Sequence, residues 1–350
     1  MIRAAFVYPN PRWALLEEIA AGRAPDTGLL GQNHLAGFGI EATIHHPGFR
    51  RRERAGGVLH RLTWNLRELT LPWELGRADV AVTPLANLFP LAARLRRRPR
   101  VALLNISLCT AWERGTAARR RALAASVRSA AAAVCFAGTQ RERLIAQTGA
   151  DPARIHAVLL GVDADFYTPR PPPESGYVLA VGRDLARDYA TFGAALEGLP
   201  ARAIVVASER NLTGVRLPPN VETRLDVSYE ELRDLYAGAA CVVIPARRAE
   251  YRYGADCSGQ TVLLDATAMG RPVVVTERGT LAEYVHPGET AIPVPAEDPQ
   301  ALRVAAETVL GDREAAERIG AAARQLVEER HTTRLLAERL AGILRSVDAA

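Results

Sequence analysis

The residues best suited to chemistry lie in two short stretches of the second half. In Gly254-Ala-Asp-Cys-Ser-Gly-Gln-Thr261 a polar loop follows a strand ending at Pro245, and Ser258-Gly259 opens an apolar helix. The first unbonded N–H groups of that helix would belong to Gln260 and Thr261, and an open helix N-terminus attracts anions. A plainer account serves equally well, with Ser258 an ordinary N-cap. Asp265 comes one turn beyond Thr261 on the same face, where its carboxylate could accept hydrogen bonds from a ribose or sugar hydroxyl. In so apolar a run that carboxylate is costly unless it is partnered.

The second stretch, Val181-Gly182-Arg183-Asp184-Leu-Ala-Arg187-Asp188, sets two arginines four residues apart behind a strand that ends in glycine. Guanidinium forks match a diphosphate, and two would neutralise the charge that builds on a leaving diphosphate. Asp184 and Asp188 could equally hold them as surface ion pairs. In the first half, Pro25-Asp-Thr-Gly28-Leu-Leu-Gly31-Gln-Asn-His34 reads as a tight turn and a helix N-terminus after the first strand, with Thr27 and Gly28 at the turn. His34 is a conceivable acid or base, although a histidine between two leucines is more often structural.

The elements that must position these residues follow a βαβα rhythm. Strands are expected over 2–8, 41–45, 79–83, 101–108, 132–136 and 155–161, then over 177–181, 203–207, 241–245, 272–276 and 291–294, with helical text such as 229–237 and 261–269 between them. That alternation predicts α/β architecture with parallel, doubly wound sheets, whose ligands bind at the carboxyl ends of the strands. Between Tyr167 and Ser175 four prolines fall in a run that can hold neither helix nor central strand, which marks a linker. The expected organisation is a first domain over 1–165, completed by a terminal helix near 333–350, a proline-rich linker over 166–176, and a second domain over 177–332.

Composition removes whole chemistries. All 44 residues counted as Lys+Arg are arginine. A Walker-type phosphate loop, a pyridoxal Schiff base and a protein-kinase site each need a lysine and are therefore excluded. The charge is uneven: residues 1–170 hold 24 arginines against 13 acids, and residues 171–350 hold 20 against 26. The basic clusters Arg50–Arg54, Arg94–Arg100 and Arg119–Arg121, with the Trp- and Leu-bearing stretch Leu59–Trp73, could meet an anionic membrane surface as a peripheral contact. Helices packed on the first sheet with their arginines in solvent account for them better. Nucleic acid is disfavoured because the clusters lack interleaved aromatics. Four scattered cysteines and seven histidines form no metal-like spacing, so no metal is expected. With no secretory leader and no long apolar run, the chain reads as cytoplasmic, with the inner membrane face as the peripheral option.

Together these passages resemble a known family. Val158-Leu-Leu-Gly161-Val-Asp163-Ala-Asp-Phe166-Tyr-Thr-Pro169, Val181-Gly182-Arg183, the segment from Ser258 to Pro272 and Gly279-Thr-Leu-Ala-Glu283-Tyr-Val-His-Pro-Gly288 are similar to the retaining nucleotide-sugar glycosyltransferases of family 4, glycosyl transferases group 1, with the GT-B fold. The resemblance is dense over 155–350 and weak over 1–150. It implies two tandem Rossmann-like domains facing a cleft, with the second holding the donor. It places Arg183 and Arg187 on the donor diphosphate as the catalytic pair. Gly182, Asp256, Cys257, Ser258, Gly259, Gln260, Thr261 and Asp265 become donor-binding residues, with Asp265 on the ribose.

The family's Glu-x7-Glu pair falls on Cys257 and Asp265, so its first acid is replaced. Where many members carry a histidine in the first domain this chain has Thr83-Pro84 and Asn105-Ile-Ser107, leaving Thr27, Gly28, His34 and Asn105 as candidates on the acceptor side. The resemblance further implies a metal-independent retaining transfer from a UDP- or GDP-linked sugar, needing no cofactor. The acceptor would be a glycan, a lipid-linked molecule or a small natural product. The alternatives are a sugar-nucleotide epimerase of the same architecture and a non-catalytic sugar-nucleotide-binding protein.

Overall fold

The structure is a computed structural model and describes residues 1–46, 67–171, 175–251 and 253–349. The cluster Arg50–Arg54 and the beginning of the Leu59–Trp73 stretch lie outside the described residues. Two six-stranded sheets form, and every strand pair is parallel. The first contains β1 (Ile2–Val7), β2 (Ile40–His45), β3 (Val80–Thr83), β4 (Arg100–Asn105), β5 (Ala132–Cys135) and β6 (Ile155–Ala157), in the order β2-β1-β3-β4-β5-β6. The second contains β7 (Tyr177–Val181), β8 (Ala203–Val206), β9 (Val221–Arg224), β10 (Ala239–Ile244), β11 (Val273–Thr276) and β12 (Ile292–Val294), in the order β12-β11-β10-β7-β8-β9.

Burial explains why these runs are strands. Ala-Ile-Val-Val in β8, Val-Val-Val-Thr in β11 and Ala-Ala-Val-Cys in β5 are buried at every position, as expected of parallel strands covered by helices on both faces. The first core gathers around Phe89, Leu103 and Leu144, and the second around Tyr189, Phe192 and Val243. In each sheet the strand order reverses beside the first strand, between β1 and β3 and between β7 and β10. Such a switch point leaves a crevice beyond the carboxyl ends of the two strands.

The contacts divide the chain into two units. One comprises Met1–Ala20, Leu29–Leu159 and Arg334–Ala350, and the other Ala21–Gly28 and Leu160–Thr333. The helix Thr333–Ala349 thus packs with the first sheet from Arg334 onward. A Cβ on Gly31, which has φ +80°, would stand 3.0 Å from the Ala337 amide, so this turn needs glycine for close packing as well as for conformation. Among the described residues no helix is long and apolar enough to cross a membrane.

Candidate functional site

The switch point of the second sheet is built from the segments that follow β7 and β10. Backbone bonds stitch them together: the Arg247 N–H donates to the Ala186 carbonyl at 2.8 Å, and the Asp188 N–H to that of Pro245 at 3.1 Å. The Asp184 carboxylate fixes the loop between β10 and the next helix. Its Oδ2 accepts from the Ala255 amide at 2.8 Å, and its Oδ1 from the Ser258 hydroxyl at 3.0 Å and the Ala186 amide at 2.8 Å. Gly254, at φ +111°, allows this approach, since a Cβ there would lie 2.6 Å from the same Oδ1.

Asp184 is therefore occupied by the loop: its charge favours the nearby Arg187 cation, but no hydrogen bond joins the two side chains. Asp188 is occupied as well. It caps the helix Tyr189–Leu196 through Thr191 and pairs with Arg247 at 3.2 Å.

The two arginines expected as a matched pair differ sharply. Arg183 keeps 54% of its side chain exposed and pairs with the exposed Asp226 at 3.1 Å, a contact worth about 0–1 kcal/mol. Arg187 is only 6% exposed, and its Nε and Nη1 have no hydrogen-bond partner. Its guanidinium lies against Gly182, where any Cβ would collide with it, and a Cβ built on Gly259 would stand 3.5 Å from its Nη1. Burial lowers its pKa, yet a guanidinium remains charged at any ordinary pH. A buried cation with idle donors is unfavourable until something anionic meets it.

What it faces is a helix mouth. The helix Gln260–Ala268 is capped by Gly259 at φ +105°, with no side-chain cap. The expected cap, Ser258, is instead drawn to the stronger acceptor, the Asp184 carboxylate. The Gln260 amide turns back to the Cys257 carbonyl at 3.2 Å, so the next amides, of Thr261 and Val262, are the open donors of the first turn. A buried guanidinium beside an uncapped helix N-terminus presents positive charge and donors of the kind that suit an anion.

The other expected donor residues surround this centre in different roles. Gln260 is buried and braces the Thr280 carbonyl through Nε2 at 2.9 Å, and Thr261 is exposed at the helix mouth. Asp256 is buried, and Cys257 is a half-buried thiol in no disulfide. Asp265 is half-buried, one turn along the helix, beside the Tyr167 hydroxyl. Burial holds its carboxyl well above the usual range, the Tyr167 hydrogen bond opposes this, and the nearby Asp163 charge adds to it.

A pH dependence of stability follows from that shift. With the folded-state value raised, wild type loses stability as pH climbs from about 3.9 towards the raised value, whereas an amide carries no such burden. Asp265→Asn should therefore melt above wild type at pH 8, with the gap closing below about pH 4. Melting curves across pH check this, and a variant less stable than wild type at pH 8 would contradict it.

The residues expected on the acceptor side do not form one group. Thr27 and Gly28 pack with the second unit, where Thr27 Oγ1 accepts from the Asp163 amide at 3.0 Å. His34 is half-buried in the short turn Gln32–Phe38, its Nε2 3.3 Å from Asn33 Nδ2. Asn105 is fully buried. Its Oδ1 accepts from the Leu108 amide at 2.9 Å, and its Nδ2 lies 3.4 Å from the sulfurs of Cys109 and Cys135. With no exposure and its polar atoms occupied, the Asn105 side chain ties β4 to the following helix.

By sequence, Asp184 reads only as a possible ion-pair partner of the arginines, and Tyr167 only as part of a motif. Their roles depend on contacts 71 and more residues away, which no local spacing signals.

Residues 194–312 match the protein family described as Glycosyl transferases group 1. No curated protein matches the chain. Among solved structures, the chain is similar to the sucrose-phosphate synthase (tll1590) of Thermosynechococcus elongatus, with TM-score 0.73, 17% identity and 100% of both chains covered. It is also similar to Anabaena Alr3699/HepE in complex with UDP-glucose, with TM-score 0.70, 14% identity, and 99% of this chain and 100% of that one covered. A putative UDP-N-acetylglucosamine 2-epimerase from Listeria monocytogenes aligns with TM-score 0.57 and 14% identity over 99% and 96% of the chains. These likenesses establish the fold, two Rossmann-like domains as in GT-B glycosyltransferases.

Proposed function

We propose that this chain is a glycosyltransferase that moves a hexosyl group from a nucleoside diphosphate sugar, UDP- or GDP-linked, to an acceptor hydroxyl, with retention and without a metal. The observation that carries the reading is the unpartnered Arg187 guanidinium beside the uncapped N-terminus of the helix Gln260–Ala268. The family match over 194–312 supports a glycosyltransferase, and the UDP-glucose bound by Alr3699/HepE supports a uridine donor as the first to try.

In this reading the diphosphate sits between Arg187 and the amides of Thr261 and Val262, and Asp265 accepts from the ribose. As the bond from the sugar to the diphosphate breaks, negative charge grows on the leaving oxygen, and fixed donors that strengthen with that charge lower the barrier. The departing phosphate oxygen takes the acceptor proton, so the protein's part is positioning and electrostatic stabilisation.

The activity test is direct. Purified protein is incubated with UDP-glucose or GDP-mannose and a panel of acceptors, and products are followed by anion-exchange chromatography and proton NMR. Release of the nucleoside diphosphate with a new glycoside of unchanged anomeric configuration is the expected result. A new sugar nucleotide with its diphosphate intact would establish the epimerase instead.

Arg183 takes a lesser role here, because it is exposed and already paired. Arg183→Ala is expected to lower kcat/KM by about 10-fold, the value of one partly solvated charged contact. Steady-state kinetics against Arg187 variants check the ranking, and equal losses would restore the two arginines to a matched pair.

A further inference from the structure

The first unit carries a second arginine-lined cavity that the proposed donor chemistry leaves unused. It encloses about 470 Å³ at the amino ends of β4, β5 and β6, and Arg94, Arg97, Arg100, Arg154 and His156 line it. No aspartate or glutamate among the described residues does so. Its volume suits a small-molecule ligand. Ligands of open parallel sheets gather at the carboxyl ends of the strands, so a site at the amino ends is separate from any acceptor site on this sheet.

Arg94, Arg97 and Arg154 reach solvent and Arg100 is half-buried, but the arginines of this region differ in their partners. Two members of the Arg94–Arg100 cluster are committed elsewhere: Arg98 pairs with Asp79 at 2.9 Å, and Arg96 lies over the Trp73 ring at 5.3 Å. Those lining the cavity are the ones left over. Arg94 and Arg97 have no side-chain partner among the described residues, and Arg100 donates only to the Val347 carbonyl, at 2.6 Å. Arg154 has Asp151 at 3.8 Å, with both groups exposed. A basic last turn complementing the helix Phe89–Arg96 accounts for Arg94 alone. The others come from the turn after that helix, from β4 and from the turn before β6, three positions brought to one place by the fold.

Four arginines and no carboxylate around one cavity make its wall locally positive, and planar guanidinium forks without protein partners suit phosphate oxygens. We propose that this cavity binds a phosphoryl group, carried either by a soluble phosphorylated molecule or by a lipid headgroup, against the apolar wall of Pro90, Ala93, Val101 and Ala130.

Calorimetric titration of the full chain with inorganic pyrophosphate tests this, and the Arg187→Met protein is used alongside wild type so that the donor region does not supply the signal. Binding is expected in both proteins. Arg94→Ala and Arg97→Ala should each weaken it about 10-fold or more, the loss of one charged hydrogen bond, while Arg98→Ala, which removes the same charge from the same segment, leaves it unchanged. Co-sedimentation with phosphatidylcholine vesicles doped with phosphatidic acid separates the two sources. Vesicle binding that disappears in Arg97→Ala assigns a lipid headgroup, and pyrophosphate binding without vesicle binding assigns a soluble ligand. No pyrophosphate binding in the Arg187→Met protein, or equal weakening by Arg98→Ala and Arg97→Ala, would overturn the proposal.

Discussion

Arg187→Met should abolish stabilisation by nucleoside diphosphates and lower kcat/KM on the donor by about 10²- to 10⁴-fold, the loss of two charged hydrogen bonds at about 1.5–3 kcal/mol each. The unliganded protein should melt no lower than wild type. These two outcomes belong together because the guanidinium is 6% exposed with Nε and Nη1 unpartnered. It contributes nothing to the empty fold that an apolar chain of similar length would not replace, and removing it relieves an unpaired buried charge. Methionine keeps contact with Gly182 and Gly259 without the charge. Kinetics and melting curves with and without UDP or GDP decide the matter. A variant that lost stability without ligand and kept its nucleotide response would show that Arg187 is structural.

Asp184→Ala should fail in the opposite manner, damaging the fold first and the site through it. One carboxylate receives the Ala255 amide, the Ser258 hydroxyl and the Ala186 amide, and truncation leaves those donors to be satisfied by water or not at all. The expected loss is about 2–4 kcal/mol, from donors that each cost about 1–3 kcal/mol when stranded. In a unit of this size that lowers the melting temperature by roughly 5–15 °C. The loop 254–258 then no longer holds Gly259 and the helix mouth beside Arg187, so the nucleotide response should weaken even at temperatures where the variant is folded. Asp184→Asn should fall between, because its Oδ1 can still accept while its NH₂ cannot take the Ala255 amide. Unchanged melting in Asp184→Ala would remove this residue from the account.

These contrasting outcomes also mark what the sequence could and could not reveal. The central strands were legible because burial on both faces makes them continuous apolar runs, as in β8 and β11. β9 escaped because Val-Glu-Thr-Arg is an edge strand whose Glu222 sits between Arg202 and Arg224, and so it carries no apolar run. Two strands, β4 and β6, end earlier than their apolar runs suggest. Leu108, Val158 and Leu160 are buried apolar residues outside the sheet, and composition does not separate them from strand.

The site was legible as a pair of segments but not as a hierarchy. Arg183 and Arg187 have the same type and the same acidic neighbour, and only tertiary contacts decide that one Asp serves a loop, the other a helix cap, and that one arginine is exposed while the other is buried. The cap was misplaced for a similar reason. Ser258 is a good N-cap by type, yet a carboxylate 74 positions away competes for its hydroxyl.

The central claim is that the second unit holds a nucleoside diphosphate between Arg187 and the helix Gln260–Ala268. A thermal-shift panel of UDP, GDP, dTDP and ADP with their common sugars tests it most directly, since it needs no knowledge of the acceptor. A ligand present at about a hundredfold its Kd adds about 2.7 kcal/mol to the folded state. The account predicts that one nucleotide family raises the melting temperature by several degrees and that the rise vanishes in Arg187→Met. No rise with any of them at millimolar concentration, or a rise that survives in Arg187→Met, would contradict it.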